Sequence, residues 1–205
     1  MSSPDRPTLL RTTTTSFCSS LLSPPPPSAL LSRFFTSSPK ITEHGPTWAT
    51  SRLPFLGRTF SGTSDNPGNS SSSCVSYFEL LSSTLEMKLP SDAFPDRNGF
   101  IVDAEADMVS VVGKGRFVAK KTGKGWDEQF VYRFSGFDEE GRIGHWEIWA
   151  DPLSAWVAVG GKGEGEKGGK GEGEKGGKGE KEGGGVEEDG GKKGEGVLEG
   201  AGYAS

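Results

Sequence analysis

The most chemically capable residues of this sequence, His145, Glu147 and Asp151, stand close together in Arg142–Asp151, RIGHWEIWAD. If that run is a strand, His145, Glu147, Trp149 and Asp151 project to one side, with about 7 Å between same-side neighbours. In an apolar pocket, burial raises carboxyl pKa values toward neutrality, which suits proton transfer to and from a substrate. These three are therefore the candidate catalytic residues. The opposite facing is also open: Trp146 and Ile148 would then point inward, and His145 and Glu147 would be solvated. Asp151 precedes Pro152, where an Asp often serves only as a turn cap. Tyr132 shares an alternating stripe with Trp126, Phe130 and Phe134. Its hydroxyl can donate to a substrate oxyanion, and Tyr132, Trp126, Phe130 and Trp149 are the candidate substrate-binding side chains.

Other groups carry less. Asp103, Glu105 and Asp107 alternate like a ligand ladder, but like charges on one strand face are usually solvated, and no His lies near them in sequence. Neither a metal nor a cofactor is implied. His44 sits in a Gly-Pro turn and reads as exposed. Cys18 and Cys74 make no disulfide framework, which fits a reducing compartment.

The elements that must position these groups follow from periodicity. Residues 28–37, SALLSRFFTS, have Leu30, Leu31, Phe34 and Phe35 at helical spacing. Residues 41–60 read as irregular, and 61–73 as a Ser-rich loop. Residues 74–88 form the clearest helix, with a Val75, Phe78, Leu81, Leu85 stripe and a capping box from Ser76 to Glu79. The period then changes to two. Ile101–Val112 reads as one strand with Val102, Ala104, Ala106 and Met108 on its apolar face. Arg116–Lys121, Trp126–Phe134 and Arg142–Asp151 continue the run, separated by Gly-bearing turns. Helices first and antiparallel strands last is the order of an α+β domain: a curved antiparallel sheet packed on N-terminal helices.

Composition sets the limits of that domain. The chain of 205 residues is only 32% hydrophobic and has 32 Gly and 13 Pro. The deficit lies at its ends. Residues 1–27 hold Thr and Pro runs and read as a disordered or targeting-like extension; the Arg and Ser content and the stretch Ser32–Thr36 would suit a mitochondrial leader and its cleavage region. Residues 160–205 repeat GEGEKGGK and read as a disordered tail. That leaves 28–159 as one domain. The net charge of −5 argues against nucleic acid as a partner, and no apolar run approaches the ~20 residues of a membrane span. A cytoplasmic location is expected, with a mitochondrial one as the alternative.

Three stretches carry a resemblance. PFLGRTFSG (54–62), SYFELLSSTLEM (76–87) and FVYRF…DEEGRIGHWEIWADP (130–152) together resemble a SnoaL-like domain of the nuclear-transport-factor-2-like superfamily, its fungal members in particular. The resemblance covers about residues 28–158. It implies a cone-shaped α+β barrel in which a bent sheet wraps helices and leaves a deep apolar pocket. Polyketide cyclases, steroid isomerases, epoxide hydrolases and dehydratases belong to that superfamily, and the active ones place an Asp, His or Tyr in the pocket. Asp151 matches the recurrent strand-end Asp. The function expected is the binding of a small hydrophobic molecule, with acid/base isomerase, cyclase or hydratase chemistry. The alternative is a non-catalytic module of the same fold that docks a protein or forms a homodimer.

Overall fold

A computed structural model describes residues 5–63 and 72–161. Four helices, α1 (Arg6–Ser20), α2 (Pro27–Phe34), α3 (Cys74–Thr84) and α4 (Pro152–Ala158), accompany seven strands. The strands are β1 (Phe35–His44), β2 (Arg58–Ser61), β3 (Leu85–Lys88), β4 (Ile101–Asp103), β5 (Met108–Ala119), β6 (Gly125–Ser135) and β7 (Ile143–Trp149). They form one unclosed sheet in the order β2-β1-β7-β6-β5-β3, with β4 pairing the other half of β5. The α+β class is as expected. One pair, β1 with β7, is parallel; the others are antiparallel. No helix among the described residues is long and apolar enough to cross a membrane.

The N-terminal extension is the first correction. Arg6–Ser20 is helical, although its Thr run has poor helix propensity. Tertiary packing outweighs that propensity. Leu10, Thr14, Phe17, Cys18 and Leu21 fall at helical spacing and are buried. Phe17 meets Phe34, Phe35, Phe134 and Trp146 edge-on, at ring-centroid distances of 5.0 to 5.8 Å. The Thr12 and Thr14 hydroxyls bond back to the carbonyls of Thr8 and Leu10, so their polarity is satisfied within the helix. The helix start is also clamped. Arg6 forms two 2.9 Å bonds with the carboxylate of Asp107 and donates to the carbonyls of Phe137 and Asp138. One guanidinium thus ties α1 to the turns before β5 and before β7. A cut at Ser32–Thr36 would remove α1 and most of α2 from the core.

Two further readings change. Ile101–Val112 is a hairpin, not one strand: β4 and β5 flank a turn in which Asp107 adopts φ 52°, a conformation Asp tolerates better than most residues. Within 41–60, the chain enters as the end of the ten-residue strand β1. Helix α3 begins where the periodicity placed it but ends at Thr84; Leu85–Lys88, expected as its last turn, is strand β3 paired with β5, and the cap is Ser73, whose Oγ accepts from the Ser76 amide at 3.1 Å. The Ser-rich loop lies largely outside the described residues, as does the Gly/Glu/Lys-rich tail beyond Gly161.

The inner face of the sheet is apolar and densely aromatic. Gly113 makes this possible on β5: a Cβ there would lie 2.3 Å from the Phe130 ring. Phe17→Ala is expected to cost about 3–5 kcal/mol, the range for a fully buried Phe. Urea denaturation followed by tryptophan fluorescence measures it. A cost below about 1 kcal/mol would mean α1 is not part of the core.

Candidate functional site

The parallel pairing of β1 on β7 decides which side chains meet. The register sets Ile41 beside Trp146, Thr42 beside Glu147, Glu43 beside Ile148 and His44 beside Trp149. Beyond β7, Ile148 pairs with Tyr132 on β6, and Tyr132 with Val111 on β5. Glu43, Ile148, Tyr132 and Val111 therefore make one row across the inner face. Glu43 and Tyr132 are two strand spacings apart in it, about 10 Å.

A cavity of about 430 Å³ opens over this row. Trp126, Phe130, Tyr132, Trp146 and Ile148 form its sheet wall, and Tyr77, Phe78 and Leu81 of α3 face them. The amide of Asp151 and the indole N–H of Trp126 both donate to Oε2 of Glu128, at 3.0 and 2.9 Å, at one edge. One buried donor of the wall, Trp146 Nε1, has no acceptor among the described residues.

Glu43 is the group the sequence reading missed. It is buried, lines the cavity, and accepts a 2.8 Å hydrogen bond from the Tyr77 hydroxyl at Oε2. Burial pushes its pKa up to about 7; the Tyr77 bond works against that rise, and the nearby Glu128 carboxyl adds to it. Burial likewise raises Glu128 and raises both Tyr77 and Tyr132 well above ordinary phenols, so these hydroxyls stay protonated and remain donors. A carboxyl poised near neutrality, with a neutral phenol on it and a second phenol across the hollow, can take up and return a proton in a water-poor space.

The expected site residues divide between the two faces. Trp126, Phe130, Tyr132 and Asp151 line the cavity. The Asp151 carboxylate is already occupied as the cap of α4, accepting from the amides of Leu153 and Ser154 and from the Ser154 hydroxyl. The Ser154 hydroxyl, first among these, holds its pKa below the usual range. His145, Glu147 and Trp149 are corrected to the outer face. His145 Nε2 lies 2.9 Å from the Thr42 hydroxyl, and burial lowers its pKa against the pull of Glu147. Glu147 accepts from Arg133 at 2.7 Å and bonds His44 at 3.1 Å. Burial opposes its ionisation, but Arg133 and His44 outweigh burial and hold its pKa down. Trp149 stacks on His44, their centroids 4.1 Å apart. The physical reason is strand parity: Trp146 and Ile148 take the inner positions, so 145, 147 and 149 cannot. Asp151 escapes the alternation because β7 ends at Trp149.

The cysteines have no part in the cavity. Burial raises Cys18 well above an ordinary thiol and pushes Cys74 up to about 12. Among the described residues, no three His, Cys, Asp or Glu side chains are grouped as metal ligands.

Comparison with solved structures gives this arrangement a fold. A nuclear-transport-factor-2-like protein from Burkholderia xenovorans superposes with a TM-score of 0.53 over 74% of this chain and 96% of its own, at 12% identity. The fold is the nuclear-transport-factor-2-like fold. A proposed polyketide cyclase from Xanthomonas campestris shares it, with a TM-score of 0.54 over 76% of this chain and 99% of its own, at 10% identity. So does a proposed isomerase from Bacillus subtilis, at 0.53, covering 78% and 98%, with 12% identity. No protein-family model and no curated protein matches the sequence. In this nuclear-transport-factor-2-like fold, Glu43 owes its inward position to the last turn of β1, two residues after the buried Ile41. That ITEH alternation was the available signal.

The titration of Glu43 has a consequence for stability. Glutamate ordinarily ionises near 4.5, and Glu43 in the folded chain near 7. The folded state holds the extra proton between those values. Glu43's contribution to stability is thus complete below about 4.5 and is lost as pH rises through about 7. Glu43→Gln keeps an acceptor for Tyr77 but cannot ionise. Its stability relative to wild type is expected to improve by about 2–3 kcal/mol from pH 5 to pH 8, read from denaturation curves. A pH-independent difference would contradict the raised pKa.

Proposed function

We propose that the protein is a cofactor-independent acid/base enzyme of SnoaL-like type, acting on a small hydrophobic molecule held in the cavity. The observation that carries this reading is the Glu43–Tyr77 pair: a buried carboxyl with a pKa near 7, hydrogen-bonded at 2.8 Å, inside an otherwise apolar hollow. Glu43 removes or returns a proton, Tyr77 steadies its carboxylate, and Tyr132 offers a hydrogen bond to negative charge developing on the substrate about 10 Å away. Isomerisation and ring closure both consist of such transfers. The proposed isomerase and the proposed cyclase on the same fold support these reaction types over others. Fungal members of the SnoaL-like group are the relatives the sequence resemblance favours.

A second reading rests on the outer face. His44, Trp149, Val131 and Val112 form a row across four strands there. Val112 is 53% exposed, Val131 38% and Trp149 37%. Three exposed apolar residues in line suit a homodimer contact through the sheet, which is compatible with catalysis on the inner face.

In assays with polycyclic ketones and linear polyketide mimics, Glu43→Gln is expected to lower kcat by about 100-fold or more, the usual scale of a general base. His145→Ala should leave kcat within about threefold. Equal turnover by Glu43→Gln and wild type would overturn the assignment. For the second reading, sedimentation velocity should give a dimer that Val131→Glu converts to monomer. A monomeric wild type would end it.

A further inference from the structure

The charges of the cavity are one-sided. Three carboxyl residues line it: Glu43, Glu128 and Asp151, joined at the mouth by the exposed Glu86. Lys120 is the one cationic side chain among the described lining residues, and it too is exposed. Around Glu43 the neighbours are Tyr77 from α3, Tyr132 and Glu128 from β6, and the apolar Ile148 from β7. His44, next in sequence, points to the outer face and bonds Glu147. No ammonium, guanidinium or imidazole pairs with Glu43 among the described residues; the one hydrogen bond to its carboxyl there is from Tyr77.

Buried carboxyls in proteins are normally matched by a counter-charge. Here the described residues supply none, and the rest of the wall is largely apolar, with aromatic rings on its sheet side. Tyr132 and Trp146 pack at 4.9 Å, Phe130 and Tyr132 at 4.7 Å, and Phe117 stacks on Trp126 at 5.6 Å. Ring faces attract cations, and most strongly where water is excluded. An anionic ligand would meet like charge and unfavourable desolvation; an uncharged one would leave Glu43 without a counter-charge.

We propose that the cavity selects a hydrophobic organic cation, a protonated or quaternary amine on an apolar body, with Glu43 as its counter-ion. This rests on the reading of the cavity as the substrate site and narrows that substrate to an amine-bearing class. The cation would lie over Ile148, between Glu43 and the Tyr132 ring. Its charge would favour the ionised form of Glu43, so binding near neutral pH releases a proton and leaves Glu43 as the base.

Calorimetry on the full chain at pH 6.5 tests this with three ligands of similar shape: benzyltrimethylammonium, neopentylbenzene and 3-phenylpropanoate. The cation is expected to bind at least tenfold tighter than the uncharged isostere, and the carboxylate weakest. Titrations in two buffers of different ionisation enthalpy should show release of a fraction of a proton with the cation only. Glu43→Gln should lose both the release and the preference; Glu128→Gln should weaken the preference and keep the release. Equal or tighter binding of neopentylbenzene or 3-phenylpropanoate would overturn the charge selection and leave the cavity reading standing. Failure of all three to bind would count against both.

Discussion

The seating of β1 on β7 is the constraint on which the site depends. It is the one parallel pair in the sheet, and an irregularity between Phe35 and Lys40 shifts its register before the pairing settles. A slip of one residue would turn Glu43 outward and bring Thr42 and His44 in, because strand side chains alternate with a period of two. The packing on both faces resists such a slip. Inside, Ile41 and Glu43 sit beside Trp146 and Ile148; outside, Thr42 meets His145 and His44 stacks on Trp149. The unpaired carboxyl of Glu43 inside and the ion-pair network of the buried Glu147 with the partly exposed Arg133 and His44 outside are two outcomes of one alignment.

The division of carboxylates follows from what each can reach. Glu147 has a guanidinium and an imidazole beside it and stays ionised. Asp151 has the first amides of α4 and a serine hydroxyl. Glu43 has one phenol and is raised by burial. These three acids thus have different protonation behaviour. The poorly compensated one lines the hollow, which is where a perturbed carboxyl points to function rather than to stability.

Much of this is legible in the sequence, for identifiable reasons. The stripe Trp126, Phe130, Tyr132, Phe134 shows a clean period of two, and its inward facing was read directly. Helices α2 and α3 announced themselves through Leu30, Phe34, Phe78 and Leu81. What failed was parity and context. The last strand alternates polar and aromatic residues on both sides, so RIGHWEIWAD alone does not say which set is inside; the partner strand does. Glu43 sat in a segment broken by Pro39, Gly45 and Pro46, and a strand that pairs in parallel at long range leaves few local cues. Helix α1 was hidden by its threonines, since a buried, back-bonded Thr looks the same in sequence as a solvated one.

Glu43 lies inside the hollow on Tyr77, with no positive charge paired to it among the described residues. The most direct measurement is a carbon-13 NMR pH titration of the glutamate side-chain carboxyls, with Glu43 assigned by its absence in Glu43→Gln. The account requires one carboxyl with a midpoint near 7, moving in Tyr77→Phe. A Glu43 midpoint near 4.5, the ordinary glutamate value, would contradict it.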